Sequence, residues 1–436
     1  KNKDHNINEF INFLILKNMK LRNFMYATMI ACAFASCSKD DEIPTPGTEP
    51  AAEGTTLSLQ IAAPTLTKAD ESVDADINTL SMLVFEESNN TLEAIGTKDG
   101  DNLWTKAVEV KAGSKSIIVL ANVTLPAAVE KGATLTVVQN ALQKALNAQN
   151  AIEAANNLTM NSKLYTKVQV APDTKNMLGF TQDEATKAGG ALVTGIDDAA
   201  SKVKLYRTVA RIVLNEVKTK EYYGTNTDKI AYKSPKLDVT DVFLLQGSKM
   251  TSLWSATEYA ATEIVDGGFL FGKTGFSDEE KDNYTLVDYT EADVYSGYNI
   301  DVTSWEDITT TPATKGTVFY AYENTSSNRT LLVVAGKFSY LTGEGENTRV
   351  EMESTRYYPI AIGVSDATFS ANAVALLKDI RGLESYKGVY RNLQYNVNLT
   401  IVGPGYKRPT GGGDPTTIES QVEVVAYGDV NQDVEI

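Results

Sequence analysis

Residues 395–403 read YNVNLTIVG, a stretch rich in valine, isoleucine and tyrosine that ends at a glycine. Branched and aromatic side chains favour extended backbone and glycine favours turns, so this stretch predicts a β-strand. Stretches of similar character lie at 57–61, 80–87, 115–123, 211–217, 239–247, 315–324, 330–340 and 357–363. Many short strands without repeated helical crossovers predict antiparallel β-sandwiches rather than alternating strands and helices.

One segment, residues 134–158, breaks this pattern of strands. Val138, Leu142 and Leu146 recur there at helical spacing, and the segment is rich in alanine. Both features favour a helix. The sequence therefore predicts a single helix over 134–158 that caps a sheet.

Length and charge narrow the class of protein. The chain has 436 residues, of which 22% are charged, and a formal net charge of −16. The length fits two domains of ordinary size. Nucleic acid is not expected as a partner, because phosphate binding needs a concentrated basic face and the chain shows none.

The N-terminal region has the features of an export signal. From Met19 onward, basic Lys20 and Arg22 precede an apolar run, and small residues then lead to Cys37. This order predicts a lipoprotein signal that is cleaved to leave Cys37 as the acylated N-terminus. Residues 1–36 are then upstream sequence and signal peptide, with Met19 as the expected start, and 37–56 form a lipidated tether. An ordinary signal peptide with an incidental cysteine is the alternative.

Processing at Cys37 limits the chemistry available to the mature chain. It removes His5, which is the only histidine, and Cys32, which is the only other cysteine. Serine–histidine, cysteine–histidine and zinc–histidine mechanisms each then lack an essential group. We expect no enzyme, no catalytic residue, no metal site and no cofactor.

Two matches to known site motifs are rejected. The residues 267–274, GGFLFGKT, fit the P-loop pattern, but a loop interior of Phe-Leu-Phe does not suit a phosphate cradle. Residues Asp429, Asn431, Asp433 and Glu435 have the opening spacing of a calcium loop but lack its turn glycine. Acidic side chains on the outer face of a strand are the preferred interpretation.

Basic and aromatic side chains offer two further candidate sites. The pair Arg207 and Arg211 could clamp an anion, although we expect both to be solvated or salt-bridged at the start of a strand. The tryptophans Trp104, Trp254 and Trp305 could form a sugar-binding platform. Dispersed tryptophans are more often core residues, so core positions are preferred.

The C-terminal residues combine a flexible hinge with a β-like run. A Gly-rich stretch, YKRPTGGGDPTT, precedes the final IESQVEVVAYGDVNQDVEI. Such a segment can fold back onto its own domain or complete the sheet of a neighbouring molecule. The apolar side chains of one face are Val422, Val424, Ala426, Val430, Val434 and Ile436.

Several motifs, in order, carry a family resemblance. They are FASC (34–37), INTLSMLVF (77–85), SKSIIVLANV (114–123), KLYRTVARIVLNEV (204–217), YYPIAIG (357–363), VYRNLQYNVNLTIVGPG (389–405) and VEVVAYGDVNQDVEI (422–436). With this set the chain resembles the fimbrillin family, the major fimbrial subunits of Bacteroidales that build type V pili.

The resemblance implies an architecture and a maturation step. It implies two transthyretin-like antiparallel β-sandwich domains, 57–205 and 206–410, followed by a hinge and donor strand, 411–436. A protease would cut between Lys68 and Ala69 and remove the first strand, 57–68. The apolar side chains removed with that strand are Leu57, Leu59 and Ile61.

The resemblance also implies a function. The chain would be a pilus-shaft subunit in fimbriae at the cell surface, polymerised head-to-tail by donor-strand exchange and supporting adhesion and biofilm formation. Its expected partners are other copies of itself, anchor and tip subunits, the maturation protease and, before trimming, the outer membrane. A tip or anchor subunit, or a surface glycan-binding lipoprotein, is the alternative.

Overall fold

The structure is a computed structural model, and residues 1–53 and 427–436 lie outside its described part. It describes residues 54–62, 76–145, 157–223, 230–255, 268–274, 289–301, 318–341, 348–363, 368–381, 387–409 and 418–426. Within these ranges, no helix is both long enough and apolar enough to cross a membrane.

The first part of the chain forms two sheets. Its strands are β1 (Thr56–Leu59), β2 (Leu80–Glu86), β3 (Thr91–Thr97), β4 (Val108–Glu109), β5 (Gly113–Ala121), β6 (Gln143–Ala145), β7 (Met160–Asn161), β8 (Tyr165–Val170), β9 (Lys175–Leu178), β10 (Ala191–Leu192) and β11 (Tyr206–Arg207). One sheet has the order β10-β9-β1-β4, and the other has the order β11-β7-β5-β2-β3, with β8 also paired to β5. Their facing side chains, including Met82, Ile117 and Val119, belong to the main apolar core.

The second part forms a seven-stranded sheet and a six-stranded sheet. Its strands are β12 (Val209–Thr219), β13 (Tyr222–Tyr223), β14 (Ile230–Leu245), β15 (Gly247–Ser248), β16 (Met250–Ser252), β17 (Phe269–Leu270), β18 (Asn299–Asp301), β19 (Val318–Tyr322), β20 (Leu331–Leu341), β21 (Arg349–Glu351), β22 (Arg356–Ala361), β23 (Thr368–Phe369), β24 (Leu393–Ile401) and β25 (Ile418–Ala426). One sheet runs β17-β15-β19-β12-β24-β25-β23, and the other runs β13-β14-β20-β21, with β18 on β14 and β22 on β20.

The mainly β fold predicted from the sequence is confirmed. Most strand pairs are antiparallel, but β1 with β9, β9 with β10, β12 with β24 and β23 with β25 are parallel. Parallel pairing arises here without regular helical crossovers because most of the paired strands are far apart in the chain. The strand β11, which ends at Arg207, still pairs with β7 in a sheet of the first part. If the two parts are divided by the sheets to which their strands belong, the boundary therefore follows Arg207.

Few helices accompany the strands in the part of the chain that the structure describes. The α-helices are α1 (Leu135–Ala141), α2 (Gln182–Lys187) and α3 (Ala371–Arg381), and short 3₁₀ turns lie at Glu291–Asp293 and Ser296–Tyr298. Thr181 and Glu184 form a reciprocal capping box at the start of α2. This arrangement satisfies two backbone N–H groups that the first helical turn leaves unpaired.

The prediction of one helix over 134–158 is wrong. The helix α1 ends at Ala141, and Gln143–Ala145 form β6, which pairs with β16. Val138 and Leu142 are buried as their spacing predicted. The helix ends after this pair because the next residues hydrogen-bond to the backbone of β16 instead of continuing the helix. Leu146 lies outside the described residues.

The two parts of the chain are joined by an apolar contact. Leu253 and Trp254, which follow β16, pack into a cluster formed mostly by the first part. The Trp254 ring meets Phe85 edge-on at 5.5 Å between centroids. The pairing of β16 with β6 adds backbone bonds across the same boundary. The two sandwiches therefore share a packed joint.

A buried arginine crosses this joint. The Nε of Arg391 donates to Glu323 Oε2 at 2.6 Å, and each of these side chains is 1% exposed. The same guanidinium group donates to Asn161 Oδ1 in the first part and to Thr251 Oγ1 and the Ser252 carbonyl in β16. Arg391 is thus bonded to both parts of the chain.

Tyr395 on β24 provides a testable hydrogen bond in the core of the second part. Its hydroxyl accepts from the Tyr390 N–H at 2.8 Å and donates to the Gly388 carbonyl at 3.1 Å. Burial raises the pKa of this hydroxyl far above its usual value, so it stays protonated. We expect Tyr395→Phe to lower the free energy of unfolding by about 1–3 kcal/mol, because a buried N–H loses its acceptor. Urea denaturation measures the change, and an unaltered midpoint would contradict it.

Candidate assembly site

The strand β1 occupies a central position in its sheet. It pairs in parallel with β9, from Thr56↔Lys175 to Leu59↔Leu178, and antiparallel with β4. Leu57, Leu59 and Ile61 are fully buried in the main apolar core. The removable strand expected from the sequence is therefore an interior strand in the uncut chain.

The pairing of this segment continues beyond β1. The N–H groups of Gln60, Ile61 and Ala62 donate to the carbonyls of Leu178, Leu103 and Val203 at 2.9 Å each. Gly179, at φ +80°, lies so close that a side chain there would clash with the Gln60 carbonyl. A strand in this position is hydrogen-bonded along both edges.

The outer face of β1 is covered as well. Ser58 and Gln60 point away from the main core, yet both are buried. The hydroxyl of Thr105 accepts a hydrogen bond from the Leu59 N–H at 3.1 Å. Removing this segment would therefore uncover an apolar floor together with unpaired backbone groups on two neighbouring segments.

A cleft lined mostly by polar residue types lies at the start of β1. It encloses about 430 Å³, and its lining includes Gly54, Thr55, Glu86, Glu93 and Glu109. Two of these carboxylates pair with a buried lysine: the Nζ of Lys115 lies 2.6 Å from Glu93 Oε2 and 2.8 Å from Glu86 Oε2. The apolar core thus gives way to charged groups at this end of the strand.

The C-terminal strand β25 is held by its own domain in the uncut chain. It pairs antiparallel with β24 along its whole length, from Leu393↔Ala426 to Ile401↔Ile418, and β23 lies on its other edge. Val422 is 7% exposed and belongs to the main core. Folding back, one of the two arrangements left open by the sequence, is therefore present here for residues 418–426.

The other predicted assembly residues fall into two groups. A donor role for Val422, Val424 and Ala426 after trimming stays a prediction. The remaining predicted residues lie outside the described part of the chain: Cys37, Lys68, Ala69, Val430, Val434 and Ile436.

The P-loop match contributes to the core. Phe269 and Phe271, from the interior of the matching segment, are buried in an apolar cluster with Phe243. Lys273 Nζ lies 5.3 Å from the centre of the Phe243 ring and 3.4 Å from Asp241 Oδ2. These residues are part of the apolar packing of the second part, and their described contacts do not form a phosphate-binding loop.

Arg207 and Arg211 were expected to be solvated or salt-bridged, and the first of these two alternatives is wrong. Both side chains are buried, and Arg211 Nη1 donates to Gln394 Oε1 on β24 at 2.7 Å. Strand β12 is an interior strand between β19 and β24, so Arg211 lies among neighbours on both sides. Neither arginine presents an open anion clamp. The calcium-like residues Asp429–Glu435 lie outside the described part.

Trp104 and Trp254 do not share one surface. Trp254 is buried at the joint between the two parts, in the core position that the sequence favoured. Trp104 is half-buried against a different cluster, around Met177 and Phe180, and its Nε1 donates to Asp99 Oδ2 at 3.2 Å. Trp305 lies outside the described residues.

Three polar residues of these regions were not predicted. They are Thr105, Lys115 and Arg391, which act through contacts between strands distant in the chain. A lysine inside the apolar stretch 114–123 was a visible signal, but its acidic partners could not be identified from spacing. Within the described ranges, no group of histidine, cysteine, aspartate and glutamate could hold a metal ion.

Comparisons with known proteins point in one direction. Residues 55–207 match the family model described as the major fimbrial subunit protein FimA. The major fimbrium subunit FimA type-2 of Porphyromonas gingivalis is 24% identical over 411 residues, which cover 90% of this chain and 93% of that protein. A crystal structure of a fimbrilin from Porphyromonas gingivalis W83 has a TM-score of 0.57 at 22% identity, covering 87% of this chain and all of the other.

Proposed function

From the resemblance to the Bacteroidales fimbrillins, which these matches confirm, we propose that this chain is a shaft subunit of a type V pilus. It is exported as a lipoprotein through Cys37, trimmed after Lys68 and polymerised head-to-tail by donor-strand exchange. The fimbriae extend from the cell surface and support adhesion and biofilm formation.

The central position of β1 is the observation that supports this proposal. Loss of β1 removes Leu57, Leu59 and Ile61 from the core. Burying each side chain contributes about 1.5–3 kcal/mol, so an empty groove loses roughly 4.5–9 kcal/mol of hydrophobic stabilisation, before the cost of ordering a new strand is counted. A strand from another copy restores this burial. Donor and groove are different surfaces, so the contact is head-to-tail and propagates as a filament.

The alternatives are less well supported by the same residues. A glycan-binding lipoprotein would need exposed aromatic rings, whereas Trp254 is buried and Trp104 belongs to another cluster. A tip or anchor subunit differs from a shaft subunit in its partners. The proposal therefore includes the partners expected of a shaft subunit. They are anchor and tip subunits, the maturation protease, and the outer membrane that holds the lipidated precursor.

Limited digestion tests the maturation step. We expect trypsin to convert the purified precursor to a product that begins at Ala69 and forms ladders on unboiled gels. The matched control is Lys68→Gln, which removes the basic side chain at the cut and should leave an unassembled precursor. A wild-type product that begins at Ala69 and stays monomeric would contradict the proposal.

A tail deletion tests the donor. Deleting residues 427–436 leaves β25 in place, whereas a deletion from 411 also removes an interior strand of the second part. We expect cells that carry the shorter deletion to lack fibres in electron micrographs. An unchanged melting temperature of the purified precursor would show that the fold is intact. Normal fibres from this variant would refute the donor role of the tail.

A further inference from the structure

We propose that Asn122 protects the peptide bond after Lys98, so that a protease specific for basic residues removes the first strand without cutting between β3 and β4. We refer to Asn122, Lys98 and the backbone of residues 76–79 that they bind as the Asn122 clamp. The inference rests on the proposed trimming after Lys68 and specifies what limits cleavage near the new N-terminus.

The sequence makes Lys98 the next candidate for such a protease. No lysine or arginine lies between Lys68 and Lys98, and the turn-forming residues 99–101, DGD, follow directly. Gly100 is exposed, and Lys98 pairs with Thr105 across this short connection between β3 and β4. Exposed connections of small and polar residues are preferred sites of proteolytic nicking. The bond after Lys98 therefore depends on contacts from elsewhere for its protection.

The side-chain amide of Asn122 holds the chain that precedes β2. Its Oδ1 accepts from the N–H groups of Asn78 and Thr79 at 2.8 and 3.3 Å. Its Nδ2 donates to the carbonyls of Asp76 and Leu158 at 2.7 and 2.9 Å. Asn122 is 8% exposed, and its backbone N–H also donates to the Thr79 carbonyl at 3.1 Å. The amide thus uses its two acceptor and two donor positions.

The backbone of Asn122 explains why this residue type suits the position. Its φ is +58°, in the left-handed region that asparagine and glycine enter more readily than other residues. Residue 122 directly follows β5, whose last residue, Ala121, pairs with Leu80 at the start of β2. Asparagine therefore provides both the turn after β5 and the bonds to the chain before β2. Glycine would keep the turn and remove the bonds of the amide.

Lys98 is bound to the same segment by its side chain and its backbone. Its Nζ donates to the Ile77 carbonyl at 2.6 Å, and its N–H donates to the Leu80 carbonyl at 3.0 Å. Ile77 is itself buried in the main core. A protease that recognises a basic side chain takes it into a specificity pocket, so the Lys98 Nζ must first leave Ile77. While Asn122 holds residues 76–79, Lys98 stays bound.

Trimming makes the Asn122 clamp necessary. In the uncut chain, residues 76–79 are connected covalently to β1, which is paired on both edges. Cleavage after Lys68 would turn the same segment into a chain terminus, and termini fray unless they are tied down. Fraying that passed Leu80 would release both the Nζ and the N–H of Lys98 from their partners. The bonds of Asn122 oppose this opening.

Glycine at position 122 tests the Asn122 clamp. We expect trypsin to convert wild-type chains to a product that begins at Ala69, whereas Asn122→Gly chains should also yield a product that begins at Asp99. Cleavage after Lys98 should be about 10-fold faster in the variant, because the bonds of the amide are lost and the rate follows the population of the opened form. Mass spectrometry of the new N-termini over time measures both cuts.

Two matched variants make this result specific. Asn90→Gly is the same substitution at another left-handed position, φ +54°, where the residue is exposed, and it should leave the products unchanged. Asn122→Gly combined with Lys98→Gln should lose the product that begins at Asp99. Equal rates of cleavage after Lys98 in the wild type and Asn122→Gly would overturn the inference. An equal acceleration by Asn90→Gly would overturn it as well.

Hydrogen exchange in the wild-type chain covers the case in which Asn122→Gly does not fold. We expect the amide hydrogens of Asn78 and Thr79, which are donated to Asn122, to stay protected after trimming. Rapid exchange at both positions in trimmed chains would overturn the inference. Absence of cleavage after Lys68 would instead contradict the proposed function, while the rate of cleavage after Lys98 is still measured, so the two failures are distinguishable.

Discussion

Replacing Leu59 by alanine should destabilise the uncut chain by about 2–5 kcal/mol and leave the assembled fibre unchanged. The loss in the precursor follows from removing a fully buried leucine and leaving a cavity. The fibre should be unaffected because, in the proposed assembly, this residue is removed with the first strand and a neighbour's tail fills its position. Urea denaturation of the precursor and thermal dissociation of fibres measure the two effects.

Leu178→Ala is the matched control for this prediction. Leu178 on β9 is also fully buried, belongs to the same core and pairs with Leu59, but it is retained after trimming. It should weaken both the precursor and the fibre. If Leu59→Ala weakened the fibre as much as Leu178→Ala does, then β1 would still be present in the mature subunit and the trimming step would be wrong.

Replacing Arg391 by methionine should lower the free energy of unfolding by about 3–5 kcal/mol. The substitution leaves the buried carboxylate of Glu323 without its ion pair, and an uncompensated buried charge is costly. It also removes the bonds to Asn161, Thr251 and Ser252 that join the two parts of the chain. Denaturation followed by both fluorescence and circular dichroism measures the loss and shows whether the parts still unfold together.

Two further variants isolate the buried charge from the loss of packing. Arg391→Met combined with Glu323→Gln should lose less than Arg391→Met alone, since no unpaired carboxylate remains. Lys218→Met breaks the exposed pair with Glu216 and should change the free energy by less than about 0.5 kcal/mol. An Arg391→Met loss as small as that of Lys218→Met would show that the buried pair contributes nothing to the joint.

Strands were predictable where the sequence carried a strong local signal. Residues 80–87, 115–123 and 330–340 differ from the observed strands by only a few residues at either end. Branched and aromatic side chains determine the extended conformation there without information from elsewhere in the chain. The burial of Leu57, Leu59 and Ile61 was visible in the same way, as alternation.

Features that depend on distant partners were not predictable from one sequence. The helix over 134–158 stops early because β16, more than a hundred residues later, pairs with β6. Arg211 is buried because β24 supplies Gln394 as its acceptor. The start of α2 was a missed local signal, since Thr181 followed by Glu184 has the spacing of a capping box.

Because β1 is hydrogen-bonded along both edges, cleavage of the chain and release of β1 from the sheet are two separate steps. In the proposed maturation, cleavage after Lys68 would break one peptide bond and leave the contacts of Leu57, Leu59 and Ile61 in place. The cleaved strand would then stay bound until an incoming tail displaces it. The rate of fibre growth would be set by this displacement rather than by proteolysis.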